Sequence, residues 1–116
     1  MPTRGLDLSR LVELEVELGL DVAAIVDMLV DELDDALRRI DAALAAGDLP
    51  PAALAAHAAR NSALMIDVEP LLVALRGVER AARRPDLSGA RRAARTLADD
   101  WTALRAELRA ATHPVG

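Results

Sequence analysis

The stretch that decides the fold is VAAIVDMLVDELDDALRRIDAALAA, residues 22–46. Its apolar residues recur every three or four positions, which is the spacing of one helix face and not the alternation of a strand. The stripe consists of Val26, Leu29, Leu33, Leu37, Ile40 and Leu44. Asp21 precedes the stretch at the N-cap position, where a carboxylate accepts a hydrogen bond from the first helical turn. The sequence therefore predicts a long amphipathic helix, helix B.

Segments rich in Gly or Pro separate helix B from further helices on either side. Helix A is predicted over residues 8–18, with Asp7 as its cap. Its apolar stripe comprises Leu11, Leu14 and Leu18. Helix C is predicted over residues 49–66, and its two prolines fall in the first turn, where a missing N–H is tolerated.

Helices D and E complete the predicted set. Asp67 is placed to cap helix D, and Pro70 lies in its first turn. The stripe of helix D comprises Val68, Leu71, Leu75, Val78 and Ala82, and that of helix E comprises Ala90, Ala94, Leu97, Trp101, Leu104 and Leu108. Short links between long helices imply antiparallel neighbours. We expect an all-α fold, an antiparallel up-down-up-down four-helix bundle of helices B to E with helix A as a short additional N-terminal helix, in one domain over residues 1–116.

The composition of the 116 residues excludes several classes of function. The chain has no Cys and no Lys, which rules out thiolate chemistry, a Schiff-base lysine and a Walker-type phosphate lysine. Its 14 arginines against 19 acidic residues give a formal charge of −5, which argues against nucleic-acid binding. No uncharged segment is long enough to span a membrane, so we expect a cytoplasmic protein. The acidic run at residues 31–35 contains no His, which indicates a solvated face and no metal site.

Helix C differs from the others because it has two apolar sides. One side is purely small, Ala52, Ala56, Ala59 and Ala63; the other contains Leu54, His57, Asn61, Leu64 and Met65. Burying the larger side places His57 in the core. Burying the alanine side leaves His57 exposed among leucines, as part of a candidate docking surface. The spacing alone does not choose between these alternatives.

The segment AHAARNSA, residues 56–63, resembles the motif of histidine-containing phosphotransfer domains, which carry a phosphoryl group in two-component relays. The turn at residues 44–48, the Val78-Glu79 pair and the order of the helices are also similar to that family, over roughly residues 6–111. Three positions near the histidine differ from the usual pattern: Ala59 stands where Leu is usual, Arg60 where Lys is usual, and Asn61 where Gly is usual. Asp67 replaces a second usual Gly.

The resemblance implies that His57 is the phosphoacceptor and that Arg60, one turn away, supports the phosphate. Arg38 or Arg39 is expected near the level of His57 and adds positive potential, while Leu54, Asn61 and Leu64 are expected to support docking. The implied partners are a response-regulator receiver domain and a hybrid histidine kinase. No cofactor or metal is expected on this chain, because the receiver supplies Mg²⁺. We expect a monomeric, free-standing phosphoryl carrier, not an autonomous enzyme.

Two other functions stay open from the sequence. Ala59 and Asn61 are compatible with a degenerate, non-catalytic interaction module that binds a receiver or kinase without phosphotransfer. The surface of Leu54, Leu64 and Met65 is also compatible with a homodimer interface. The pairs Arg83-Arg84 and Arg91-Arg92 are interpreted either as a small basic patch or as ordinary charge at the ends of helices.

Overall fold

The computed structural model describes residues 9–19, 21–65 and 68–112. Its helices are α1 (Ser9–Leu18), α2 (Val22–Ala45), α3 (Leu49–Ala63), α4 (Glu69–Arg83) and α5 (Leu87–Thr112), in place of the predicted helices A to E. No strand occurs in these three ranges. The described part of the chain is therefore all-helical, as predicted.

Helices α2 to α5 close into a ring, because each packs against the next in sequence and α5 returns to α2. Polar contacts show that α2 and α5 are antiparallel: Leu44 is bonded to Arg91, Asp34 to Trp101, and Asp27 pairs with Arg109. Helix α1 packs against α2 outside this ring. The predicted four-helix bundle with an additional N-terminal helix is confirmed.

The core is formed by the predicted stripes of α2, α4 and α5. All their members are buried except Leu37, which is half-buried against the core. The prediction for the first helix is wrong at Leu18, whose exposed fraction is 64%. Helix α1 packs mainly against α2, and its C-terminal end lies in solvent. The stripe positions Leu11 and Leu14 and the predicted cap Asp7 lie outside the residues whose side chains are described.

The helix ends follow local sequence signals. Asp21 caps α2 as predicted, accepting a 3.3 Å hydrogen bond from the backbone N–H of Ala24. At the other end, Gly47 adopts φ +71°, and the N–H of Asp48 donates to the carbonyl of Ala43 at 2.8 Å. This arrangement is a Schellman motif, which favours glycine because the left-handed conformation is unfavourable for a residue with a Cβ. It reverses the chain so that α3 runs back along α2.

The start of α4 differs from the predicted cap. Val68 occupies the N-cap position, and its carbonyl accepts a hydrogen bond from the N–H of Leu72 at 3.1 Å. Asp67 and Ile66, which were predicted as the cap of helix D and the end of helix C, lie outside the described residues. Helix α3 ends at Ala63, with Leu64 as its C-cap.

Helix α3 resolves the alternative that its sequence left open. Its alanine side faces the core, with Ala52, Ala56, Ala59 and Ala63 all buried. Leu54, Leu64 and Met65 are exposed instead. Alanine side chains let the backbone of α3 approach α2 and α4 closely, so the larger leucines are not needed inside. The residues opposite the alanine stripe, His57 among them, are consequently turned outward.

Candidate functional site

His57 lies in the middle of α3, between the buried residues Ala56 and Ala59 and beside α4. Its side chain retains 44% of its accessible surface. Because helices α2 and α4 flank α3 on both sides, the imidazole rises from the surface of the bundle with its backbone fixed in a packed helix. The predicted exposed alternative for His57 is therefore the one observed.

Glu79 of α4 contacts the imidazole of His57 at its Nδ1 atom. The Nδ1 atom of His57 lies 3.1 Å from Oε2 of Glu79. The Glu79 side chain is only 9% exposed, and it is the buried charged residue of the described core. A buried carboxylate requires partners that donate hydrogen bonds. The pair thus ties α3 to α4 at the position of the exposed ring.

The buried carboxylate determines which of the two ring nitrogens of His57 carries the hydrogen. An ionised Glu79 only accepts, so Nδ1 must carry the hydrogen in this contact. The second neighbour of Nδ1 is Nη2 of Arg60 at 3.0 Å, which cannot donate to a nitrogen that already bears a hydrogen. We assign the hydrogen to Nδ1, since the opposite choice would set its lone pair against the carboxylate. Nε2 then keeps its lone pair and bonds to no residue in the described ranges.

Two arginines complete the cluster around Glu79. Nη2 of Arg60 lies 3.3 Å from Oε1, and Nη2 of Arg83 lies 2.8 Å from Oε2. Arg60 is 29% exposed, whereas Arg83 is 60% exposed. Arg60 is therefore beside His57, as predicted, but its guanidinium is bonded to Glu79 and is not free in solvent. The two cations exceed the single carboxylate and leave the site positively charged.

The two arginines predicted on α2 differ in position. Arg39 lines a groove of about 870 Å³ between α2 and α3 that also includes His57 and Asn61. Arg38 does not line this groove. Both pair with Asp35, at 3.0 Å from Arg39 and 3.5 Å from Arg38. Of the two, the structure places only Arg39 at the histidine surface.

The predicted docking residues surround His57 on the outer side of α3. Leu54 lies one turn before the histidine and is 68% exposed, while Asn61 lies one turn after it and is exposed. Leu64 and Met65 extend the apolar surface beyond the C-terminal end of the helix and are also exposed. The floor of the adjoining groove is mostly alanine, from both α2 and α3. An open, shallow apolar surface thus adjoins the imidazole.

The sequence interpretation did not assign Glu79 and Arg83 to the site. Glu79 entered only as part of the family pattern, and Arg83 only as part of a small basic patch or as helix-end charge. A signal for Glu79 exists, because it lies four positions after Leu75 and three before Ala82, on the buried side of α4. A charged residue on a buried face needs a partner. The sequence spacing does not identify that partner, which lies 22 positions away on another helix.

Nothing in the described residues forms a metal centre: they contain no group of three or more His, Asp or Glu side chains suited to hold an ion. The helices of these ranges also include none long and apolar enough to cross a membrane. The chemistry available at the site is that of one imidazole, one carboxylate and two guanidinium groups. Such a set can hold a phosphoryl group covalently on nitrogen and neutralise part of its charge.

Comparison with known proteins identifies the family. The Hpt domain profile matches residues 24–111, and the chain therefore belongs to the Hpt domain family. Among solved structures, it is similar to the crystal structure of histidine-containing phosphotransfer protein B (HptB) from Pseudomonas aeruginosa PAO1, with a TM-score of 0.85, 21% sequence identity and 97% of each chain covered. That likeness shows a common fold. A comparison with curated proteins found no match. Family membership confirms the resemblance seen in the sequence and the predicted function class, that of a phosphorelay histidine phosphotransfer protein.

Proposed function

We propose that His57 is the phosphoacceptor of this domain and carries a phosphoryl group between receiver aspartates. The observation that supports this assignment best is the half-exposed imidazole whose Nδ1 contacts the buried Glu79 at 3.1 Å. This contact directs the free lone pair, on Nε2, away from the bundle. The only other histidine of the chain, His113, lies in the C-terminal tail outside the described residues.

The transfer needs no proton movement at the ring. The Nε2 lone pair attacks the phosphorus of an aspartyl phosphate, the P–N bond forms, and the bond from phosphorus to the aspartate oxygen breaks. The aspartate leaves as a carboxylate, and the phosphorylated imidazole keeps its Nδ1 hydrogen and becomes cationic. Glu79 stabilises that positive charge because its carboxylate already accepts from Nδ1. Transfer to another receiver is the reverse of these steps.

Arg60 and Arg83 supply the positive charge that a phosphoryl group requires. Both are held beside the imidazole through Glu79 before any phosphate arrives. A guanidinium that is already positioned loses little side-chain entropy when it contacts phosphate oxygens. The receiver supplies Mg²⁺, and this chain holds no cofactor of its own in the proposed reaction. The domain therefore acts as a carrier and not as an autonomous enzyme.

The proposed partners are a response-regulator receiver and a hybrid histidine kinase. Leu54, Asn61, Leu64 and Arg39 form the surface that a receiver would cover when its aspartate meets His57. We further propose a monomer in the cytoplasm that does not bind nucleic acid. The formal charge of −5 supports the last of these points, because nucleic acid is itself strongly negative.

A phosphorylation assay with a matched histidine control tests the proposal. Receiver domains from the same genome are phosphorylated with acetyl phosphate and Mg²⁺, then mixed with the protein. We expect the wild type and His113→Gln to acquire an acid-labile, alkali-stable phosphate, and His57→Gln to acquire none. Equal labelling of His57→Gln would overturn the assignment. Receiver binding without labelling of the wild type would instead support the non-catalytic interaction module.

A further inference from the structure

The arginines of this chain are unevenly distributed. Residues 76–95, which include the end of α4, the turn and the start of α5, contain seven arginines and two acidic residues, a formal charge of +5. The rest of the chain contains seven arginines and seventeen acidic residues, a formal charge of −10. An acidic protein thus carries a concentrated basic region at one end of one helical hairpin.

Most arginines of the basic region lack the carboxylate partners that arginines elsewhere in the described ranges have. Outside it, Arg38, Arg39, Arg105 and Arg109 each pair with an aspartate, and Arg60 pairs with Glu79. Within it, Arg76 and Arg83 pair with glutamates. The other five form no ion pair with any residue of the described ranges: Arg80, Arg84, Arg91, Arg92 and Arg95. Their charge is therefore not neutralised inside the fold and is available to an acidic partner.

Part of this basic region adjoins the histidine. Arg60, Arg76, Arg80 and Arg83 surround Glu79 in an open cleft of about 230 Å³, which we call the arginine cleft. Glu79 already binds Arg60 and Arg83, and Arg76 contacts Glu69 at 3.6 Å. Arg80 is the exposed member of the cleft without a carboxylate. The cleft and the imidazole share Glu79 and Arg60, so the positive potential lies directly beside His57 on the α4 side.

We propose that the arginine cleft attracts and orients the receiver domain by binding acidic residues around the opening of the receiver's active site. Arg80 is the main steering residue. This inference rests on the proposed phosphotransfer at His57. A receiver that holds both a phosphoaspartate and Mg²⁺ needs further carboxylates as ligands for the ion, because Mg²⁺ binds oxygen donors. The opening of the receiver's active site is therefore acidic. Arginines without a carboxylate partner, Arg80 among them, lie on the α4 side of His57, so we expect the acidic opening of the receiver to face that side.

Electrostatic steering acts mainly on the rate of encounter and not on the bond-making step. The Arg80 side chain forms no hydrogen bond or ion pair with His57 or Glu79 in the structure, so it is a specificity residue and not a catalytic one. Its effect should therefore appear in the second-order rate constant for transfer and weaken as salt screens the charge. At saturating receiver, the single-turnover rate should be unchanged.

The matched pair Arg80→Gln and Arg95→Gln provides the test. Both residues are exposed and without a carboxylate partner among the described residues, and both substitutions remove one positive charge. Arg95 lies in the α2–α5 groove with Asp41, away from α3. At about 20 mM salt, where screening is weak, we expect Arg80→Gln to lower the second-order transfer rate about threefold and Arg95→Gln to leave it nearly unchanged. At about 500 mM salt the difference should disappear.

Several outcomes would overturn the inference. Equal effects of the two substitutions would show that net charge alone matters. A loss in Arg80→Gln that persists at high salt and in the saturated rate would place Arg80 in the reaction centre instead. Binding of inorganic phosphate in the cleft, seen by NMR without any effect of Arg80→Gln on the receiver, would assign the cleft to a small anion.

Receiver binding measured without phosphotransfer separates this inference from the proposed function. The His57→Gln protein is titrated with unphosphorylated receiver at low salt, alone and with Arg80→Gln or Arg95→Gln added. Weaker binding only with Arg80→Gln would support the steering role even if the wild type were never labelled. Labelling of the wild type with no difference between the two arginines would reject the steering role and leave His57 as the acceptor.

Discussion

Two interhelical contacts in this bundle have the same arrangement of polar groups but different roles. Between α2 and α5, Asp34 accepts from Nε1 of Trp101 at 2.8 Å and from Nε of Arg105 at 3.1 Å. Between α3 and α4, Glu79 accepts from Nδ1 of His57 and pairs with arginines. In each, a carboxylate joins an aromatic N–H and a guanidinium from other positions in the fold.

The two contacts differ in whether the aromatic ring has a second polar atom besides the N–H that it donates to the carboxylate. Trp101 has one polar atom, which Asp34 uses, and the residue is 3% exposed. His57 has a second nitrogen and a side chain that is 44% exposed. The contact at Trp101 is therefore structural, because the ring is buried and has no further polar atom. The contact at His57 leaves a nitrogen lone pair at the surface, where it can react. This comparison predicts which substitutions change stability and which change phosphotransfer.

The largest effect is expected from Trp101→Ala. It removes the largest ring of the core and leaves Asp34 without one of its donors, so the free energy of unfolding should fall by about 3–5 kcal/mol. Urea denaturation followed by circular dichroism measures this loss. A loss below about 1 kcal/mol would contradict the structural role of the α2–α5 contact.

The carboxylates themselves form a matched pair, Glu79→Ala and Asp34→Ala. Loss of Glu79 frees Nδ1 and removes the counter-charge for the cationic phosphohistidine, so we expect the transfer rate at saturating receiver to fall about tenfold, the effect of about 1.4 kcal/mol. Loss of Asp34 should lower the unfolding free energy by about 1–3 kcal/mol, because the buried Trp101 N–H then lacks an acceptor.

Single-turnover phosphotransfer and urea unfolding, measured on both alanine variants, check this division. Asp34→Ala should transfer phosphate within about twofold of the wild type, since it lies on the far side of the bundle. Equal kinetic losses in the two variants would show that general destabilisation, and not the contact with the imidazole, controls the rate.

A smaller effect is expected from Glu79→Gln. The amide oxygen of Gln still accepts from Nδ1 of His57, but its charge is lost, so the transfer rate should lie between those of the wild type and Glu79→Ala, about threefold below the wild type. The same single-turnover assay measures it. If Gln is as slow as Ala, the charge of Glu79 matters and its hydrogen bond does not.

The smallest effect on stability is expected from His57→Gln, despite its complete loss of phosphotransfer in the proposed mechanism. Because the ring is half-exposed and Glu79 keeps its contacts with Arg60 and Arg83, the unfolding free energy should change by no more than about 1 kcal/mol. A thermal or urea unfolding curve decides this. A large loss would indicate that the imidazole stabilises the bundle as Trp101 does.

The fold was largely predictable because its information is local. The stripes of α2, α4 and α5 repeat at helical spacing over many turns, and Asp21 and Gly47 mark the ends of α2. Helix α3 was not decided by the same rule, since both of its sides are apolar and only packing against two neighbours selects the alanine side. The prediction for Leu18 was wrong for a similar reason: the spacing shows which side of α1 is apolar, but not whether another helix covers its C-terminal end.

The site was predictable only in its exposed part. His57 and Arg60 are one turn apart on a single helix, so their proximity follows from the sequence. Glu79 and Arg83 reach the histidine from α4, and that meeting depends on the register of two packed helices. The unneutralised charge of Arg80 likewise depends on where every nearby carboxylate lies. Spacing along one chain does not contain this information.

The alanine face of α3 has an evolutionary consequence. In this packing Ala52, Ala56 and Ala63 are fully buried, so an added methylene at any of them overpacks the contact at a cost of about 1–3 kcal/mol. The outward positions, such as Leu54 and Leu64, carry no such restriction. Substitutions at the outward positions of this chain can therefore change the surface that a partner meets without disturbing the packing beneath them. The fold and the choice of partner are free to diverge at different rates within the same fifteen-residue helix.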